Sequence, residues 1–243
     1  KTPEETFQLP KDLKGKKFQA IKLGWENFGI DLKKDEEHLI AARDAMENEL
    51  ELMIDVGAIW GTDVEEAKKR FKIFRDAKIT WLEEPFYSDA FYEYSQLYNK
   101  TDLPLAGGES CHSIESAKNM IRFGKVKFIQ IDAGIAGGIL AGKEICDFAE
   151  RNNVQYVNHT FTSHLQLSSS LQPYANSTKS KFSEFPQQLK SLAWDLTENH
   201  ISMDENGCID IPDGVGHGMK INQKALDEYN VDVEIFVNKE KLF

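Results

Sequence analysis

Cysteine is scarce in this chain: Cys111, Cys146 and Cys208 lie far apart, with no Cys-x-x-Cys pair. An odd, dispersed set supports neither a disulfide framework nor a cysteine-held zinc site. It fits a reducing compartment, so a cytoplasmic protein is expected. No apolar run approaches the 18 or so residues of a transmembrane helix. No basic stretch followed by an apolar core opens the chain, so no secretory signal is expected. Positive charge is also in deficit, with 29 Lys+Arg against 40 Asp+Glu and a formal net charge of −11. That balance argues against nucleic acid and membrane surfaces as partners. A small anionic substrate remains compatible if a local cation captures it. The 243 residues are 41% hydrophobic and 28% charged, a globular composition with room for one large domain or two small ones.

Short β-rich runs and amphipathic helical runs take turns along the chain. The spacing predicts strands at Phe18–Gly24, Leu50–Val56, Thr80–Pro85, Leu103–Glu109, Phe128–Asp132, Val154–His159 and Lys181–Pro186. It predicts helices at Glu37–Glu47, Val64–Ala77, Ser113–Phe123 and Ile139–Asn152. Strict alternation of this kind means parallel strands with helical crossovers, either a closed (β/α) barrel or an open doubly wound sheet. Six predicted strands end on an ionisable residue: Asp55, Glu83, Glu109, Asp132, His159 and Glu184. They recur at near-even intervals of about one βα unit. Parallel strands point their C-terminal ends to one face, so a barrel would gather these groups in one mouth. An open sheet would spread them along an edge, and its Gly-x-Gly-x-x-Gly phosphate turn is missing. The barrel is therefore favoured.

Alternation within the strands sharpens the reading. Ile129 and Ile131 share one face, suited to a helix layer, while Gln130 and Asp132 share the other. Ile54 and Val56 likewise oppose Asp55, and Ile21 and Leu23 oppose Lys22. A lysine aimed into a barrel is rarely a plain solvated charge.

The ordered runs Ala20-Ile-Lys-Leu-Gly-Trp25, Leu52-Met-Ile-Asp55, Trp81-Leu-Glu-Glu-Pro85, Ala106-Gly-Gly-Glu109, Ile129-Gln-Ile-Asp132 with Gly137-Gly138, and Asn158-His159 resemble the enolase superfamily. The match is to its mandelate racemase/muconate lactonizing enzyme family, specifically the mandelate racemase-like group that includes sugar-acid dehydratases. It covers about Phe18 to Gly218. The resemblance implies an α/β fold, a TIM-type (β/α) barrel modified as in that superfamily. It implies that Asp55, Glu83 and Glu109 hold one Mg²⁺. It makes Asp132 and His159 a catalytic dyad, Lys22 a second acid–base group, and Glu184 the glutamate that hydrogen-bonds the developing enediolate. The implied chemistry is Mg²⁺-dependent removal of the proton α to a carboxylate, with dehydration of a sugar acid to a 2-keto-3-deoxy acid expected. The alternatives are racemisation or epimerisation of a 2-hydroxy acid, or a catalytically silent family member.

The sequence departs from the family pattern in places. Relatives often carry Lys-x-Lys where Ala20 precedes Lys22, and Asp-x-Asn where Asp55 is followed by Val56 and Gly57. The muconate lactonizing type places a lysine shortly after Asp132, where Ala133-Gly134-Ile135 offers none. Relatives also begin with a capping domain and a first barrel strand. Here Lys1–Lys17 reads as the first barrel helix, with Thr2-Pro-Glu-Glu5 as its opening, so cap and first strand are expected to be missing. The expected organisation is a barrel domain over 1–186, supplying strands two to eight, and a C-terminal segment over 187–243. Within that segment Asp204–Asp213 resembles a hairpin that in relatives packs back toward the cap. An incomplete barrel exposes strand edges, so a homo-oligomer is expected. The expected partner is a small-molecule carboxylate.

Overall fold

The computed structural model describes residues 2–13, 15–25, 28–46, 50–187, 189–234, 236–238 and 240–241. Lys1 and Lys14 of the opening segment and Glu47 at the end of one predicted helix lie outside the described residues.

Six strands form one parallel sheet in sequential order: β1 (Ala20–Gly24), β2 (Glu51–Asp55), β3 (Ile79–Glu83), β4 (Leu105–Gly107), β5 (Phe128–Ile131) and β6 (Gln155–Asn158). A doubly wound sheet would reverse its order at a switch point; this one never does. Helix α1 (Pro3–Leu13) precedes β1, and the crossovers are α2 (Leu32–Met46), α3 (Val64–Lys68), α4 (Phe71–Asp76), α5 (Phe91–Tyr98), α6 (Ile114–Asn119), α7 (Ala133–Ala136) and α8 (Ile139–Arg151). After β6 come α9 (His164–Leu171), α10 (Ser191–Asp195) and α11 (Gln223–Tyr229). The result is a parallel half-barrel. Among the described residues, no helix is long and apolar enough to cross a membrane.

The period-2 pattern sorts the strand side chains as expected. Ile21, Leu52, Ile54, Ile129, Ile131 and Tyr156 join the core under the helices, with Leu39, Phe74, Leu97, Met120 and Ile145. On the concave side, Met53, Trp81, Ala106, Phe128 and Val157 form a second, smaller cluster that receives Phe182. The Trp81 and Phe128 ring centroids lie 4.7 Å apart, giving the concave face a rigid aromatic floor. Helix α1 opens on a reciprocal cap: Glu5 N donates to Thr2 Oγ1, and Thr2 N donates to Glu5 Oε2 at 2.8 Å.

Three predicted elements differ from the structure. Val64–Ala77 is two short helices, broken at Lys69–Arg70, because Arg70 turns inward to a buried partner. Ser113–Phe123 is helical only to Asn119 and then widens into a π-turn over Met120–Gly124, which closes on left-handed Lys125. Lys181–Pro186 is extended but joins no strand ladder. Side chains hold it instead. Asn158 Nδ2 donates to Glu184 O, while Glu184 N and Ser183 Oγ donate to Asn158 Oδ1. Tyr174 OH donates to Phe182 O at 2.8 Å. The Asn158 amide thus substitutes for one backbone unit of a neighbouring strand.

The chain after 187 packs against α9, where Leu167 and Leu171 meet Ile201 and Met219. Within it, Met203 bridges Ile209 antiparallel, and Asp204 Oδ1 accepts from Asn206 N and Cys208 N at 2.8 Å each. Gly207, at φ 77°, lies so close to the chain entering β1 that a Cβ there would come 2.1 Å from Lys17 O.

Candidate active site

The site assembles where the strands end. Register places Asp55 beside Glu83 and Glu83 beside Ala106, so the carboxylates of β2 and β3 are neighbours. Glu109 follows β4 after Gly108, a left-handed glycine at φ 119° where a Cβ would press on Ile129 and Gln130 O. One carboxylate oxygen from each of Asp55, Glu83 and Glu109 lies within 4.8 Å of the other two. Trp81 of the aromatic floor donates its Nε1–H to Glu83 Oε2 at 2.9 Å, fixing that buried carboxylate from below.

Lys22, on the inward face of β1, reaches Glu83 Oε1 at 2.6 Å, Glu184 Oε1 at 2.8 Å and Asp55 Oδ2 at 3.9 Å. Glu184 Oε2 accepts from Thr160 N at 2.6 Å. Contact between β1 and a segment held by β6 is possible only because the sheet curls. His159 sits across the mouth, with Nδ1 3.2 Å from Asp132 Oδ2 and Nε2 3.2 Å from Glu109 Oε2. The seven side chains singled out from the sequence thus meet in one mouth. A cleft of about 520 Å³ opens beside them, lined by Lys22, Trp81, Gln130, Thr160, Phe182 and Glu184. That volume suits a small organic molecule.

Electrostatics in this mouth are unbalanced. Burial and the neighbouring Glu83 push Asp55 up to about 7. Burial likewise raises Glu109. Burial works against the charge on Lys22, but Glu83, Glu184 and Asp55 outweigh it and hold the ammonium well above its ordinary value. His159 behaves the same way: burial opposes its charge, while the bond to Asp132 and the charges of Glu109 and Glu184 raise its pKa. Lys22 is therefore held as a cation in this mouth, and a raised pKa does not suit it to act as a base.

Glu84 follows Glu83 directly but does not share its role. Its backbone turns left-handed at φ 41°, taking it out of the triad. It is nonetheless buried, and Oε1 has no hydrogen-bond partner among the described residues. Burial, then Glu109, Asp55 and Glu83, push it up to about 8.

These shifts set a pH dependence for the metal-free chain. Asp55 and Glu84 bind protons more tightly folded than unfolded, so their penalty is absent below the ordinary carboxylate range, grows as the pH rises above it, and is complete once the pH passes about 7 and 8. The stability that charged His159 contributes is present below its ordinary value and lost as pH rises through its raised one. All three act in one direction. In chelator, the melting temperature should fall steadily from about pH 5 to 8, and saturating Mg²⁺ should flatten the fall. A melting temperature that rises across that window in chelator would contradict this account of the mouth.

The donor set fits a hard divalent cation. Its ligand atoms are all carboxylate oxygens, largely buried, and Asp55, Glu83, Glu109, Asp132 and Glu184 outnumber the two cationic side chains. Oxygen-only sets favour Mg²⁺ over zinc.

Residues 8–225 match the enolase C-terminal domain-like family. The crystal structure of a predicted mandelate racemase from Rhodobacter sphaeroides is 37% identical, with a TM-score of 0.91, covering 100% of this chain and 62% of that one. D-galactarolactone cycloisomerase from Agrobacterium fabrum is 28% identical over 222 residues, 88% of this chain and 57% of the relative. D-gluconate dehydratase from Thermoproteus tenax is 26% identical over 221 residues, 88% of this chain and 43% of the relative. The chain spans about half the length of these curated relatives. With a family match over most of its length and the same half-barrel, the chain belongs to the enolase C-terminal domain-like family of the mandelate racemase/enolase superfamily.

Proposed function

We propose that this chain carries the catalytic face of a Mg²⁺-dependent enzyme that removes the proton α to a carboxylate and dehydrates a sugar acid to a 2-keto-3-deoxy acid. The observation that carries the reading is His159, an imidazole held between Asp132 and Glu109, one hydrogen bond from the carboxylate triad. The dehydratase named above supports it, as does the arabinonate dehydratase of Saccharolobus solfataricus, 24% identical over 226 residues.

Asp55, Glu83 and Glu109 would hold the metal. When bound, the ion supplies positive charge against the substrate carboxylate as the α-carbon loses its proton. The remaining chemistry belongs to the side chains. Nδ1–H of His159 donates to Asp132, which leaves Nε2 to work. Neutral Nε2 takes the α-proton; the same proton then passes to the β-hydroxyl, the C–O bond breaks and water leaves. The enol product rearranges to the keto acid. Lys22 stays protonated and presents its charge to the substrate carboxylate. Glu184, fixed by Thr160 N and Lys22, faces the oxygens on which charge develops. A two-base racemase needs a free base on each face of the substrate, and Lys22, charged and with Ala20 beside it on the same face of the strand, is poorly suited to be one.

The test is a panel of sugar acids with Mg²⁺, scored by 2-keto acid formation. Glu109→Gln should weaken Mg²⁺ binding about tenfold or more, which calorimetry reads as a loss of about 1.4 kcal/mol. Unchanged affinity would remove Glu109 from the metal site.

A further inference from the structure

Gln166 lies outside the site as described, yet its side chain ends on it. It occupies the first turn of α9, capped by Ser163, whose Oγ accepts from Gln166 N at 3.4 Å. Ser163-x-x-Gln166 has the spacing of a reciprocal cap, in which the glutamine side chain would return to the N-cap backbone. Only half of that cap forms. The amide goes elsewhere: Gln166 Nε2 donates to Asp132 Oδ2, and Thr162 Oγ1 donates to Gln166 Oε1. Asp132 only accepts, so the amide nitrogen must face it, and a flipped amide would set Gln166 Oε1 against Asp132 Oδ2. The Thr162 hydroxyl then donates to the remaining carbonyl oxygen and holds the side chain in that pose.

Asp132 is thereby saturated. Oδ1 accepts from Gly134 N at 2.8 Å and Ile135 N at 3.3 Å, at the N-terminus of α7. Oδ2 accepts from His159 Nδ1 and from Gln166. A carboxylate has about four lone-pair positions, and these four donors fill them. At 1% exposure, Asp132 has no water to replace a lost donor. Remove Gln166, and the Oδ2 edge is held by the imidazole alone, so the carboxylate can rotate about its Oδ1 anchor and take the ring with it.

We infer that Gln166, oriented by Thr162, is a positioning residue that locks Asp132 and through it fixes the orientation and tautomer of His159. The inference rests on the proposed role of His159 but concerns the geometry of the ring, which is measurable without a substrate. The chain of donors runs Thr162 to Gln166 to Asp132, and His159 joins at the same oxygen. Each link is a loop or first-turn residue of the β6–α9 connection, apart from Asp132 at the end of β5.

The test compares the parent protein with Gln166→Met and Gln166→Glu, both saturated with Mg²⁺. Methionine keeps the length and removes both polar atoms. Glutamate keeps the acceptor for Thr162 and removes the donor to Asp132. The first readout is the ring ¹⁵N spectrum of His159, assigned by its disappearance in His159→Asn. The parent should show one tautomer, protonated at Nδ1. Both variants should show the two nitrogens averaging toward each other, with Mg²⁺ affinity by calorimetry within about twofold of the parent. The second readout, on any sugar acid that reacts, should be a fall in kcat of about 10–100-fold with KM little changed. A His159 spectrum identical to the parent in both variants would overturn the inference. If no sugar acid reacts with the parent protein, the functional proposal fails alone, and the ring spectrum still decides the role of Gln166. If Gln166→Met does not fold, Gln166→Glu and Thr162→Val carry the same comparison.

Discussion

His159→Asn is expected to lower turnover of the accepted sugar acid by about 10²–10⁴-fold, the usual contribution of a general acid–base group. Asparagine is close to the imidazole in size and keeps a donor for Asp132, so the mouth should not collapse. It has no group that can take a proton and give it back. Mg²⁺ affinity should stay within about twofold, because the triad oxygens come from Asp55, Glu83 and Glu109 alone. Lys22→Met is the informative contrast. It leaves Glu83 buried without its ammonium, 2.6 Å from the vacated position, so both KM and protein stability should suffer. A His159→Asn protein that turns over substrate at the parental rate would move the chemistry to Lys22, whose charge would then have to be lowered by something the metal-free chain does not contain.

The parts of this fold that were legible in the sequence are those governed by short, regular physics. Period-2 alternation in the strands of Lys22, Asp55 and Gln130 told which side of each faces inward, because a one-residue slip would exchange buried isoleucines for those polar residues. The acidic strand ends were legible because parallel strands share one functional face. What escaped depended on partners distant in sequence. Lys181–Pro186 has the composition of a strand, but its hydrogen bonds come from the side chains of Asn158 and Tyr174. The break in Val64–Ala77 has no proline or glycine to announce it; it follows from where Arg70 must point. Gln166 carried a visible signal, the Ser163-x-x-Gln166 spacing, but that signal points to a helix cap. Its bond to Asp132 exists only once α9 is laid beside β5.

Arg70→Met should be the most destabilising single change outside the mouth, at about 3–5 kcal/mol. Arg70 and Asp35 are each 1% exposed, with Arg70 Nε 2.7 Å from Asp35 Oδ2. Losing the guanidinium strands a buried carboxylate, and it also strips donors from the loop that follows β1. Arg70 Nη2 donates to Gly29 O at 2.7 Å, Trp60 Nε1 donates to the same oxygen at 2.9 Å, and Gly29 N donates to Asp35 Oδ1 at 3.0 Å. The guanidinium also lies 5.1 Å from the Trp60 ring centroid. One buried ion pair therefore ties α2 and α4 to the loops after β1 and β2, the loops that carry Trp25 and Gly57 to the rim of the site. In a domain of this size, 3–5 kcal/mol corresponds to a fall in melting temperature of about 6–20 °C. The double change Asp35→Leu with Arg70→Met should recover much of the loss, since replacing both members of a buried pair with apolar groups removes the stranded charge. Thermal melts of the two proteins at pH 7 separate the possibilities. If the single change melts within about 2 °C of the parent, the pair is not what holds these loops. If the double melts lower than the single, the backbone groups of Gly29 matter more than the charge on Asp35, and the anchor is the hydrogen-bond network rather than the ion pair.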